Sequence, residues 1–326
     1  MEIPNSDSEH LSSEVKKITQ IDVAPSGDIA RLLADFSNMG FNAKRLGHAC
    51  EIYLKMVQDP KCVKFFALSG AMVPAGLQKV IYDFLNEGFI DVLVTTGANL
   101  THDVSEALGF HHLQGFVNDE PESDEELHTQ HMNRIYDVFM PNEIYEHMED
   151  WIRSFKIDPK QSVKETLWEL GKHLPENCHS ILRLCADRKI PIFCPAFTDS
   201  GLAMQLSFAY PSLNLNFFED LRDMINTAWD AKTAGVCIVG GGVPKNFIFQ
   251  AMQFTPTSAS YAIQITTDVQ VSAGGLSSAS LSEAVSWGKI NAEGQTSQVH
   301  LDATVALPIL LAFLKNAKKE GLISKK

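Results

Sequence analysis

Four times along this chain an apolar run breaks directly into a turn of small residues, and that repeated junction restricts the fold more than anything else in the sequence. Val63 to Leu68 runs into Ser69-Gly70-Ala71, and Asp91 to Thr96 into Gly97-Ala98-Asn99. Ile190 to Phe197 runs into Thr198-Asp199-Ser200-Gly201, and Gly235 to Val239 into Gly240-Gly241-Gly242. Runs this short and apolar are buried strands, and a small-residue turn leading from strand to helix is the βα unit of dinucleotide-binding folds. Helical spacing predicts helices over Pro74–Asn86, Asp103–Leu108, Asn142–Phe155, Ser162–Leu174, Phe217–Thr233 and Thr304–Lys318, with Pro244 opening another. Ser260–Thr267 and Gln298–Leu301 read as further strands, and Ser272–Ser282 as a loop. Residues 28–57 read as two helices joined at Gly40. The expectation is an α/β fold, a doubly wound and mostly parallel sheet with an N-terminal helical extension. No shift in composition divides residues 26–326, which are expected to form one domain behind a flexible arm, residues 1–25.

The net charge of −13 argues against nucleic-acid binding, which needs a basic face, and suits a cationic small substrate or a basic protein partner. Cys50, Cys62, Cys178, Cys185, Cys194 and Cys237 contain no CxxC pair and are expected to be reduced core residues. No apolar run has the length of a membrane span, and the N-terminus lacks a signal-peptide core, so a cytoplasmic protein is expected. Asn118 to Glu126 holds six acids and reads as a solvated loop. His111, His112, His128 and His131 flank it with no standard metal-ligand spacing, and no metal is expected.

In open α/β sheets, ligands bind at the carboxyl ends of strands. Asp199, Asp268 and Asp302 each follow a strand-like run, where an acid binds ribose hydroxyls or caps a helix. There is neither a GxGxxG fingerprint nor a GxSxG nucleophile elbow, and His102 and His300 stand alone.

A different chemistry is concentrated in Glu283-Ala284-Val285-Ser286-Trp287-Gly288-Lys289-Ile290. A carboxylate and an indole face suit an alkylammonium group, Gly288 permits a tight turn, and a partly desolvated lysine can form a Schiff base. The bland alternative is a helix end with a core tryptophan and a surface lysine. SEAVSWGKI resembles the active-site lysine segment of the deoxyhypusine synthase family. DVLVTTGAN, NRIYDVFMPNEIYEHMEDWI, PIFCPAFTDSGL, CIVGGGVPKN and HLDATVALPILLAF resemble the same family, in its order, across most of residues 60–315.

The resemblance implies a Rossmann-like fold and a homotetramer with active sites at a dimer interface. It implies NAD-dependent transfer of an aminobutyl unit from spermidine, through an imine on Lys289, to a lysine of the hypusine-carrying translation factor. By matching position, Glu283 and Trp287 would hold the amine, with Gly274, Asn246, Gln250 and Met204 also at substrate positions. NAD would lie against Gly70, Ala71, Met72, Val73, Pro74, Thr96, Gly97, Ala98, His102, Asp199, Gly241, Thr267, Asp268, Asp302 and Ala303.

The chain also departs from the family. Two acids of its AGGVEED turn are missing from Gly97–Asp103. A family acid falls on Met204, a histidine on Asn246 and an asparagine on Gln250. These changes lead to the expectation of a donor other than spermidine, charged at one end, such as a guanidine-bearing amine or a diamine. A small-molecule polyamine synthase and a catalytically silent NAD-binding subunit are the alternatives.

Overall fold

The computed structural model describes residues 29–115 and 124–323. The expected arm, residues 1–25, lies outside them, as do residues 118–123 of the acidic stretch. Helices α1 (Ile29–Phe36) and α2 (Phe41–Gln58) come first, on either side of Gly40. Next are β1 (Cys62–Leu68), a π-helical turn at Val73–Leu77, α3 (Gln78–Asn86), β2 (Val92–Thr95) and α4 (Gly97–Ala107). The middle of the chain holds β3 (Leu113–Gln114), α5 (Asp124–Thr129), β4 (Met132–Ile135), β5 (Val138–Pro141), α6 (Ile144–Arg153), α7 (Val163–Lys172) and α8 (Ile181–Arg188). It continues through β6 (Ile192–Phe193), α9 (Gly201–Ala209), α10 (Phe217–Asp230), β7 (Thr233–Val239) and α11 (Gly242–Met252). The last elements are β8 (Ala259–Thr266), α12 (Leu281–Ser286), β9 (Ile290–His300) and α13 (Ala303–Lys319).

The large sheet has the order β6-β2-β1-β7-β8-β9, and every ladder in it is parallel. Counted along the chain, its six strands run 3-2-1-4-5-6, the order of Rossmann dinucleotide-binding sheets. The doubly wound expectation holds, and the order reverses between β1 and β7. Strand alternation feeds two cores. Phe66 and Leu68 of β1 pack with α2, α3 and α13 residues such as Met56, Phe84 and Leu310. Phe65 and Ala67 point the other way, toward Met224, Ile248, Met252 and Leu281 of α10, α11 and α12. Burial on both faces explains why β1 and β7 read as nearly continuous apolar runs.

Several boundaries differ from the sequence expectation, each for a local reason. Helix α4 begins at Gly97, not Asp103. Thr96 caps it by accepting from the Asn99 amide at 3.3 Å, so the small residues read as a turn are its first residues. The strand expected over Ile190–Phe197 is only Ile192–Phe193, because the chain turns after Cys194 toward α9, capped by Ser200. The short strand expected at Gln298–Leu301 is the eleven-residue β9; its first half is an exposed, polar edge with an irregular register, and so carries no apolar signal. Pro244 is the third residue of α11 rather than the first. The expected loop at Ser272–Ser282 begins on the last residue of one 3-10 turn (Gln270–Ser272) and contains another (Gly275–Ser277) and the start of α12, and Asp124–Glu126 of the acidic stretch opens α5.

One feature was absent from the sequence reading. Strands β3, β5 and β4 form a small antiparallel sheet, inserted between α4 and α6. Its strands have four residues or fewer, too short to show a period.

The six cysteines form no disulfide, and five are buried. Cys178 is half-buried, a small departure from the expected core position. Burial raises the Cys50 and Cys194 thiols to about 12, which leaves them inert. No helix among the described residues is long and apolar enough to cross a membrane.

Candidate active site

A cleft of about 1300 Å³ opens at the carboxyl ends of the strands, over the point where the strand order reverses. Its floor is the turn after β1 (Ser69 to Met72), the turn after β2 (Thr96 to Ala98) and the start of α11 (Gly242 to Pro244). Asp199 and Ala196 line the β6 side, and Asp302 and Thr304 the β9 side. His112, Leu113, Gln114 and the β4–β5 hairpin from Ile135 to Val138 form an opposing wall.

The floor is set by the side chain of Asn99, which the sequence reading used only as a turn residue. It is buried, and its Oδ1 accepts from the Met72 and Val73 amides at 2.8 and 3.2 Å. Its Nδ2 donates to the Gly70 carbonyl at 3.1 Å and to Thr96 Oγ1 at 3.1 Å. One amide thus ties the turn after β1 to the turn after β2. Gly241 is fixed by packing: a Cβ there would lie 2.3 Å from the Ser277 backbone. Gly242 has φ +55 and open space around it, so a ligand can approach the backbone there. Helices α4, α11 and α13 all begin at this rim. The positive dipole ends of α4 and α11, which carry no acidic cap, suit a pyrophosphate even in a chain of net charge −13, whereas that of α13 is already met by the Asp302 carboxylate. A dinucleotide therefore fits the residues present.

Of the expected cofactor positions, Gly70, Ala71, Met72, Pro74, Thr96, Gly97, Ala98, Asp199 and Asp302 line the cleft. Val73 is buried beneath it, and Gly241 is packed against Ser277. Thr267 and Asp268 directly follow β8, where the Asp268 carboxylate accepts from Ser277 Oγ and holds down the loop containing Gly274. Asp302 also caps α13, accepting from the Thr304 amide at 2.7 Å, and Ala303 is that helix's first residue.

His102 does not reach the cleft. It is 7% exposed and lies behind His112, the imidazole that does line it. His102 Nδ1 and His112 Nε2 are 2.8 Å apart, and His112 Nδ1 is 2.6 Å from Glu106 Oε1. Burial, helped by the neighbouring His112, brings the His102 imidazole down to about 4. Burial raises the Glu106 carboxyl, but hydrogen bonds from His112 and His111 outweigh it and bring that group down to about 2.

The expected amine-binding residues lie elsewhere. Lys289 directly precedes β9, at the amino end of that strand, and its carbonyl accepts from the Ala259 amide at 3.1 Å. From there to the cleft the β8–β9 ladder runs from Ala259 to Thr266, roughly 23 Å. Gly288, at φ +67, ends α12 and turns the chain so that Lys289 Nζ lies 5.2 Å from the Trp287 ring centroid. Trp287 is 56% exposed, so the core-tryptophan alternative fails. Asn246 and Gln250 share a separate groove of about 360 Å³ on α11, with Leu276, Phe247 and Phe254. Met204 lies on α9, 49% exposed, and lines neither cavity.

The link among these groups is Lys245, which the sequence reading passed over. Its ammonium is buried and donates to Gln264 Oε1 at 3.0 Å and to the Leu276 and Ala279 carbonyls at 2.7 and 2.9 Å. Burial brings it down to about 8; the Glu283 carboxylate opposes this and the Lys289 charge adds to it. Glu283 and Lys289 thus share one electrostatic neighbourhood. Only the lysine in Gly-Gly-Gly-Val-Pro-Lys could have flagged this hub, and lysine alone does not announce burial.

The deoxyhypusine synthase family profile matches residues 31–314. The chain belongs to the deoxyhypusine synthase family. It is a family of NAD-dependent aminobutyl transferases. A probable deoxyhypusine synthase 1 of Archaeoglobus fulgidus is 40% identical over 302 residues, covering 91% of this chain and 97% of the relative. One from Methanosarcina acetivorans is 39% identical over 299 residues, covering 90% and 92%. A deoxyhypusine synthase-like protein of Elusimicrobium minutum is 30% identical over 321 residues, covering 92% and 84%. Among solved structures, one assigned as a deoxyhypusine synthase from Entamoeba histolytica superimposes with a TM-score of 0.59 at 18% identity, covering 91% and 96%, which supports the fold.

The buried histidine gives a pH prediction. His102 is depressed in the folded chain, so between its ordinary 6.5 and about 4 the unfolded state binds the proton first. Folding stability therefore falls as pH drops through this window, by about 3 kcal/mol from this group. Urea denaturation from pH 7 to pH 4 measures the decline, and His102→Gln is expected to remove that part of it. An unchanged slope in the variant would refute the assignment.

Proposed function

We propose that this protein is an NAD-dependent aminoalkyl transferase that carries its substrate as a Schiff base on Lys289. The observation that carries the reading is Lys289 beside the Trp287 ring, with Glu283 acting on the same buried ammonium of Lys245. The family match supports it. NAD, when bound, supplies the hydride acceptor for the amine and the hydride donor for the product. Asn99 would hold the turn that backs it, and the amino ends of α4 and α11 would bind its pyrophosphate. Trp287 and Glu283 seat the cationic end of the donor. The unprotonated Lys289 amine attacks the oxidised donor's imine carbon, the smaller amine leaves with the proton, and a C=N bond joins the alkyl unit to Lys289. An acceptor amine then displaces Lys289 in the same way. We take the acceptor to be a lysine of the hypusine-carrying translation factor and, since the six cysteines form no disulfide, place the activity in the cytoplasm.

The cleft and the Lys289 backbone lie toward opposite ends of the sheet, and on this reading the lysine of one copy serves the cofactor held by another. A second copy would supply the missing half. Exposed Phe218 and Trp229 on α10, Val243 on α11 and Phe254 just beyond it supply apolar surface for such contacts, consistent with the homotetramer implied by the resemblance. The donor groove carries the amides of Asn246 and Gln250 among apolar side chains and no carboxylate. An ammonium buried there without a counter-charge costs on the order of 3–5 kcal/mol, so a polycation such as spermidine fits poorly.

Three outcomes are expected. Lys289→Arg keeps its charge but cannot form an imine, so transfer and borohydride-trappable mass at residue 289 are lost while calorimetric NAD affinity is unchanged; product formation by the variant rejects the covalent role. Sedimentation at micromolar concentration gives an assembly, and a stable monomer would end the shared-site reading. With NADH fluorescence as readout, a singly charged or guanidine-bearing amine outperforms spermidine by at least about tenfold. Equal turnover of spermidine would show that Asn246, Gln250 and Met204 do not set the donor.

A further inference from the structure

The wall facing the cofactor floor ends in a strained residue with no structural use. Ile135 pairs with Val138, leaving Tyr136-Asp137 as a two-residue hairpin loop. Tyr136 has φ +53, in the left-handed region, at the loop position where such hairpins favour glycine. A strained aromatic residue usually repays its strain by packing, but this ring is 89% exposed and joins neither core. The backbone around it is nonetheless firmly held. Arg134 Nη1 donates to the Tyr136 carbonyl at 3.1 Å, while its Nε and Nη2 grip Asp124 at 2.6 and 2.7 Å. The Gly115 amide donates to the Asp137 carbonyl at 2.7 Å, and a Cβ on Gly115 would come within 2.7 Å of that oxygen. The tip is thus positioned against the cleft, and Tyr136 and Asp137 both line it, with Gly97 and Ala98 also on its lining.

We propose that Tyr136 is a cofactor-contacting residue, whose ring stacks on a flat heteroaromatic ring of the bound dinucleotide. This rests on the NAD reading given above. The charge distribution favours a ring over the pyrophosphate at this point: the Asp137 carboxylate at the tip repels phosphate, whereas the helix amino ends that attract it lie on the floor. A neutral π face meets no such penalty, and stacking needs no directional donor. Either the adenine or the nicotinamide could be that ring.

The test is calorimetric titration of the full-length protein and two variants with NAD, ADP-ribose and nicotinamide mononucleotide, alongside thermal melts. Tyr136→Gly relieves the left-handed strain, so its melting temperature is expected to rise while its Kd for NAD rises about tenfold. Tyr136→Phe keeps the ring and is expected to keep the affinity. A loss confined to ADP-ribose identifies adenine as the partner, and one confined to the mononucleotide identifies nicotinamide. If Tyr136→Gly binds NAD as tightly as the unaltered chain, the stacking role is wrong although the NAD reading stands. If Tyr136→Phe loses as much as Tyr136→Gly, a hydroxyl contact replaces stacking and the proposal falls. If the unaltered protein binds no NAD, both readings fall together.

Discussion

The pairing of β1 with β7 is the constraint from which the rest of the molecule follows. These strands lie far apart in sequence, yet they match residue for residue, from Cys62 against Thr233 to Leu68 against Val239. Because β2 and β6 then add on one side and β8 and β9 on the other, the connecting segments diverge above this seam. A crevice opens where they part, and three helices begin along its rim. The seam is dry on both faces, which is why Phe65 and Phe66 can both be buried although they point in opposite directions.

Asn99 converts this topology into a usable surface. A turn of small residues has amides and carbonyls that need partners, and near a ligand site water would otherwise compete for them. One carboxamide satisfies groups on both neighbouring turns without adding charge. Asp103, one turn further along α4, does similar work in the interior: its buried carboxylate accepts from Ser180 Oγ and from the Ile181 and Leu182 amides at the start of α8. Burial raises its carboxyl above the usual range in spite of those bonds.

What could be read from the sequence was what has a period or a sharp boundary. The buried strands ending in Leu68, Thr95 and Val239 were legible because burial on two faces makes apolar runs and the turns after them must be small. Only the second half of β9 was legible, since Asn291 to Gln295 belong to an exposed edge with no apolar run. The small sheet was missed because two to four residues cannot show alternation. In the candidate site, the residues named from motifs fell largely where strand ends meet, but their grouping was not legible. Spacing in sequence did not reveal that His112, rather than His102, borders the cleft, or that Met204 lies away from Asn246. Lys245 escaped because a buried lysine is recognised only by the carbonyls around it.

The position of Lys289 at the foot of β9 has a consequence for how such a chain can change. Substitutions more than about 10 Å apart, with no shared partners, act almost independently. The crevice and the Lys289 backbone are separated by much of a strand's length, with Lys245 and Gln264 as the rigid material between them. The surface around Trp287 and Lys289 can therefore change without loosening the turns at the far end. Evolution can treat the two ends of one sheet as separate modules, provided the buried lysine between them is left alone.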